Sequence, residues 1–184
     1  MACRWLVVVL LGFSQAIAAG QVKESRVDHD AGVYNLSFDL VIDKNIDDVR
    51  RVVTDNNGLT QLSNILVESR ELSAPKSGLK QRLLVARVCI LLICRQVKLV
   101  ERVKSIGPDE FITTVIPKPS DFKSGTLHWQ LTKLADHKTR LEFYGKEEPD
   151  FWIPPVIGPI LVKRLLERET TVIINNIENL PAHD

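Results

Sequence analysis

The chain is short of the side chains with which many enzymes work. It has 4 histidines, 3 cysteines and 1 methionine among 184 residues. No G-x-S-x-G elbow, no H-E-x-x-H pair and no glycine-rich phosphate loop occurs in it, so the motif-borne hydrolase, zincin and nucleotide-binding classes lose their usual signatures. An excess of one charge is missing too. The 24 Lys and Arg face 23 Asp and Glu, a net charge of +1, which gives no argument for nucleic acid. Low-complexity tracts, internal repeats and interdomain linkers are absent as well.

The apolar residues are concentrated informatively. Arg4 precedes an apolar run over 5–13, and Ala16-Ile17-Ala18 follows as a small-x-small site. This is the pattern of a cleaved secretory signal over 1–18. The run is too short for a bilayer-spanning helix, although a retained N-terminal anchor is the alternative. Cys3 lies before the run, so it is not placed as a lipoprotein acceptor. Residues 19–32 are polar and read as a loose lead-in. Residues 33–184 form one domain of ordinary size. The implied location is the periplasm or the outside of the cell.

Two cysteines then remain, Cys89 and Cys94. Export permits a disulfide. Four intervening residues allow a hairpin in which the two face each other across the strands, within disulfide reach. The other reading is two buried thiols in one apolar strand. No further His or Cys lies near enough to complete a metal set. His29 and His183 sit near the chain ends, His137 sits in a turn and His128 on a polar strand face. All four are expected to be solvated.

Tyr34, Leu36, Phe38, Leu40 and Ile42 alternate with more polar neighbours, a half-buried first strand. Asn45 can cap a short helix over Ile46–Thr54 with Asp47 and Asp48 in its first turn. One more helical turn is expected at 59–62. Six strands follow, over 65–72, 79–89, 94–105, 110–117, 122–134 and 139–147. Gly158 and Pro159 then open a helix to about residue 180, roughly 33 Å long at about 1.5 Å per residue. Its apolar stripe is Val162, Leu165, Leu166, Val172, Ile173, Ile177 and Leu180, interrupted by Glu169 and Asn176.

The connections between these strands alternate in character. The turns at 73–78, 107–109 and 135–138 are polar. Those at 89–94 and 149–155 are apolar, and the one at 116–121 is mixed. Alternate turns of an antiparallel meander fall at one end. One end is therefore expected to gather Leu91, Leu92, Phe151, Trp152 and Ile153. The patch either meets a membrane or gates a ligand, or else it folds under the last helix and is buried.

This order of elements resembles the START-like superfamily, also called SRPBCC or helix-grip, which includes polyketide cyclase/dehydrase-like proteins. The segments that carry the resemblance are Phe38-Asp39-Leu40-Val41-Ile42-Asp43 with the helix that follows, Ser124-Gly125-Thr126-Leu127-His128-Trp129-Gln130-Leu131, and the long last helix. It covers nearly all of the chain after the signal. The signal and the Cys-x4-Cys hairpin depart from common cytoplasmic members. The resemblance implies an α+β, helix-grip fold: a seven-stranded curved antiparallel sheet wrapped around the C-terminal helix, with two short helices after the first strand. It also implies a hydrophobic cavity between sheet and helix.

The candidate ligand-binding residues are Phe38, Arg87, Phe111, Trp129, Phe143, Trp152, Leu165 and Glu169. Arg87 sits in an apolar strand and Glu169 in the apolar helix stripe. Either they point into the cavity, pairing or holding a ligand headgroup, or they snorkel to water at its rim. Three functions are open. The first is an exported carrier or sensor of a lipid, quinone or polyketide-like molecule, with possible membrane contact through Leu91, Leu92, Phe151 and Trp152. The second is a cyclase or dehydrase using Arg87 or Glu169. The third is a docking module that needs no ligand. No cofactor, metal or catalytic residue is assigned.

Overall fold

A computed structural model of the chain describes residues 20–72, 80–90 and 93–181. The expected signal segment 1–18, the polar turn 73–78, the tip residues Leu91 and Leu92, and His183 lie outside the described residues.

The elements are β1 (Gln21–Asp30), β2 (Val33–Ile42), α1 (Ile46–Thr54), a 3-10 turn (Leu59–Gln61), β3 (Leu66–Leu72), β4 (Lys80–Ile90), β5 (Ile93–Ser105), β6 (Glu110–Val115), β7 (Phe122–Ala135), β8 (Lys138–Pro149) and α2 (Gly158–Asn179). They build one 8-stranded antiparallel sheet in the order β1-β2-β8-β7-β6-β5-β4-β3. The expected two short helices are one α-helix and one 3-10 turn. Asn45 caps α1 as its sequence suggests, accepting from the Asp48 amide at 2.8 Å, and Val49, Val52 and Val53 are buried.

The strand count corrects the sequence reading, which gave seven strands and a loose lead-in over 19–32. β1 occupies that lead-in and pairs with β2 from Gln21↔Val41 to Asp30↔Val33. Of its ten residues Val27 alone is buried, so no two-residue apolar period announces it. Main-chain hydrogen bonds hold it, and its charged side chains suit an exposed sheet edge. A two-residue turn closes the hairpin with positive φ at both Ala31 (47°) and Gly32 (88°), the hand that matches the twist of the flanking strands.

The helix α2 lies against the inner face of the sheet, and its ends are held differently. At the C-terminal end Ile174 and Ile177 are buried. The Glu178 carboxylate accepts from the backbone of Asp43 at 2.7 Å and of Gly20 at 3.0 Å. The Lys44 ammonium donates to the last carbonyls, Glu178 O at 3.3 Å and Leu180 O, where a cation complements the helix terminus. The two polar residues inside the apolar stripe also find partners. Ser63 Oγ donates to the Glu169 carboxylate at 2.7 Å, and Asn176 Nδ2 donates to Leu62 O at 3.1 Å. The N-terminal half of α2 has no such ties among the described residues. It spans a space that the sheet leaves open.

Candidate functional site

The floor of that space is a ladder of rings. Phe111 on β6, Trp129 on β7, Phe143 on β8 and Phe38 on β2 are successive cross-strand partners. Their ring centroids are 5.4, 4.7 and 4.7 Å apart in that order, with interplanar angles of 7°, 23° and 17°. Each follows from two-residue alternation, which sends the same face of every strand inward. Offset stacking adds to the area each ring buries. The Trp129 indole N–H donates to Thr113 Oγ1 at 3.3 Å, so the apolar floor keeps no orphan donor there.

Two apolar lobes lie above this ladder. The inner lobe, about 170 Å³, is bounded by Phe111, Trp129, Phe143, Leu141 and Ile173. The outer lobe, about 190 Å³, runs beneath Val162, Leu165 and Leu166 of α2 toward Phe151 and Ile153. Leu66, Leu84, Leu99 and Glu147 border both lobes, so the lobes adjoin. Together they reach the lower end of the range for small-molecule sites, roughly 300–1,000 Å³.

Few polar groups reach the lobes. In the inner lobe Arg82 and Glu101, partners across β4 and β5, form an ion pair at 2.8 Å with side chains 5% and 3% exposed. Removing one partner from such a pair strands a buried charge, at a cost of about 3–5 kcal/mol. In the outer lobe the polar side chains are Tyr34 and Glu147. Glu147 is half-buried. It borders both lobes. Its carboxyl is pushed up to about 8, first by burial and next by the nearby Glu101 charge, with Arg82 acting in the opposite sense. The proton-bearing form is thus favoured at neutral pH. Burial also raises the Tyr34 phenol above its ordinary value.

Of the residues expected at the apolar end, Phe151, Trp152 and Ile153 are described. The Arg95 guanidinium, beside the hairpin tip, lies 4.8 Å from the centre of the Phe151 ring in the β8–α2 connection. Cys89 and Cys94 pair across β4 and β5 as a disulfide, Cα atoms 4.0 Å apart. Trp152, Val156, Ile157 and Ile160 are exposed, Trp152 to 75% and Val156 to 81%. Trp152 lines a groove that shares Tyr34, Pro149, Phe151 and Ile153 with the outer lobe.

The eight expected site residues divide accordingly. Phe111, Trp129 and Phe143 border the inner lobe and Leu165 the outer one. Phe38 is buried behind Phe143 as the last ring of the ladder. Trp152 is on the rim, in an open groove beside Pro155 and Pro159. Arg87 requires a correction. It is exposed, while Leu84, Ala86 and Val88 border the outer lobe, so alternation turns Arg87 to the opposite face. Glu169 is buried, yet it bonds Ser63 rather than Arg87. Pairing of the two, one of the alternatives the sequence left open, is therefore not present. Sequence reading missed Tyr34, Arg82, Glu101 and Glu147. Among the described residues no cluster of His, Cys, Asp and Glu suits a metal ion, and no helix is long and apolar enough to cross a membrane.

No protein-family model matches the chain, and no curated protein matches it in sequence. Its three-dimensional relatives are clear. A START superfamily protein from Mycobacterium smegmatis superposes with a TM-score of 0.65 at 15% identity, over 80% of this chain and 99% of that one. An aromatase/cyclase from a Streptomyces species gives 0.63 at 12% identity, over 79% and 92%. A STAR-related lipid transfer protein from Xanthomonas axonopodis gives 0.59 at 16% identity, over 84% and 99%. The fold is START-like, a helix grip with one strand more than the sequence pattern showed.

Proposed function

We propose that this chain is a carrier or sensor of a hydrophobic small molecule, such as a lipid, a quinone or a polyketide-like compound, held in the two-lobed cavity between sheet and α2. The observation that carries the reading is the pair of adjoining apolar lobes walled by the Phe111, Trp129 and Phe143 ladder and by Leu165. Burial of an apolar ligand there would supply affinity, and a few polar groups would set its orientation. The fold supports the reading: one structural neighbour is described as a lipid transfer protein and another as an aromatase/cyclase.

The proposal extends to place and surface. The signal-like segment 1–18 and the disulfide are compatible with export to the periplasm or beyond. The apolar rim at Trp152, Val156, Ile157 and Ile160 supports a cavity mouth that works against a membrane. A reaction on the ligand is not part of the proposal. Arg87 is exposed and Glu169 is engaged with Ser63, so neither residue offered as its acid or base borders the two lobes.

Native mass spectrometry of protein purified from an oxidising compartment, followed by organic extraction, tests the carrier reading. The expected result is an apolar molecule retained at near-stoichiometric amount, and lost when Trp129 is replaced by Glu. Protein that arrives empty and takes up no apolar probe would overturn it, and would favour a docking role without ligand.

A further inference from the structure

Tyr34 and Glu147 are direct partners across β2 and β8. Side chains so paired share a face with Cβ atoms about 4.5–5.5 Å apart, and both border the outer lobe. The Tyr34 side chain is deeply buried, 4% exposed, and its hydroxyl has no hydrogen-bond partner among the described residues. Glu147 likewise has no hydrogen bond or ion pair among the described residues, and Arg82, the cation whose charge acts on it, is already taken by Glu101. A buried hydroxyl without an acceptor is unfavourable, and native structures rarely leave one unexplained. Opposite Glu147 on β7 stands Gly125. A Cβ at that position would lie 3.2 Å from Glu147 Cγ, so the glycine leaves the carboxyl its room.

We infer that Tyr34 and Glu147 form a headgroup subsite, and that the ligand is an apolar molecule bearing an uncharged carbonyl oxygen, as in a ketone, quinone or ester. This rests on the cavity being a ligand site, as proposed above. The phenol O–H and the protonated carboxyl are two donors on one face, and neither meets an acceptor from the protein. A carbonyl oxygen has two lone pairs and can accept from both. An anionic head would meet Glu101 and Glu147 and find no free cation, since Arg82 is paired. An ammonium head would need Glu147 ionised.

The groups that face Glu147 set its response to pH. They are Tyr34 from β2, Arg82 from β4 and Glu101 from β5. Gly125 of β7 brings no side chain, and α2 brings Val162, Leu165 and Leu166 to the lobe. As pH rises through about 8 the Glu147 carboxyl loses its proton and turns from donor to acceptor. A carbonyl ligand is then repelled, and an amine is favoured.

Four probes on one frame test this: 4-phenylbutan-2-one, butylbenzene, 4-phenylbutanoate and 4-phenylbutylamine, titrated calorimetrically at about pH 6.5 and about pH 9.5. At the lower pH the ketone is expected to bind roughly tenfold tighter than butylbenzene, the equivalent of one good hydrogen bond. That preference should vanish at the higher pH. Glu147→Gln, whose amide still donates, should keep the preference at both. Glu147→Leu and Tyr34→Phe should each lose it, read as the ratio of ketone to butylbenzene affinity within the same variant. Equal binding of ketone and butylbenzene, a preference for the anion or the amine at the lower pH, or a ketone preference that survives Glu147→Leu would overturn the subsite. If butylbenzene binds without any discrimination, the subsite alone fails. If no probe binds, the cavity reading fails and the subsite falls with it.

Discussion

Glu147 is one residue whose chemistry the fold has altered, and the change is visible without any ligand. Its ordinary carboxyl value is 4.5, and burial lifts it to about 8. Between those two values the folded chain holds a proton that the unfolded chain has released. Stability therefore falls as pH rises from about 4.5 to about 8, with a slope of up to about 1.4 kcal/mol per pH unit. Below that window both states are protonated and the residue contributes no slope. Urea denaturation across the window should show the decline, and Glu147→Gln should flatten it and be the more stable protein at pH 8. A variant whose pH profile matches the parent would show that Glu147 is solvated rather than shut in. Arg82 and Glu101 differ in kind: each compensates the other, so the pair holds its charges without needing a ligand.

At the scale of elements, the legible parts were those that bury a periodic apolar face. The stripe of α2 and the alternation from Tyr34 to Ile42 along β2 placed that helix and that strand. What escaped lacked that period or was masked by neighbours. β1 is held by its backbone and buries Val27 alone. Glu147 sits in the charged run Lys146-Glu147-Glu148 and reads as solvated, although the two-residue count from Leu141 through Phe143 and Gly145 sends it inward. Arg87 attracted attention because its neighbours are apolar, whereas the same count from Leu84 through Ala86 sends it outward and sends Arg82 inward. The hairpin of β4 and β5 was legible from its cysteines. Their bridge spans a sequence separation of 5, a short loop, and short loops lose little entropy on closure. Replacing both cysteines by serine should therefore lower stability by about 2 kcal/mol at most, measured by chemical denaturation against the oxidised parent. A loss beyond about 4 kcal/mol would mean that the bridge also braces Arg95 against Phe151 at the cavity mouth.

The whole molecule has two unlike ends, and this polarity gives the exposed rim a direction. The C-terminal end of α2 is tied to Lys44, Asp43 and Leu62 by hydrogen bonds. Its N-terminal end carries the exposed Ile157 and Ile160 and continues from Trp152 and Val156. Exposed Arg95 lies over Phe151, and exposed Lys163 and Arg164 follow Ile160 on α2. Exposed apolar side chains with cations in the same segment suit the headgroup boundary of an anionic bilayer, where burial and charge act together. In the proposed carrier role such contact would spare an apolar ligand the barrier of crossing open water between membrane and cavity. Flotation with phosphatidylglycerol vesicles should recover the protein, and phosphatidylcholine vesicles should recover much less. Binding should weaken with added salt, as exposed charges are screened. The triple variant Trp152→Ser, Val156→Ser, Ile160→Ser should stay in solution yet still bind butylbenzene, which separates a docking defect from a damaged cavity. A parent protein that ignores anionic vesicles, or a triple variant that floats as well as the parent, would turn the rim from a membrane contact into a surface for some other partner.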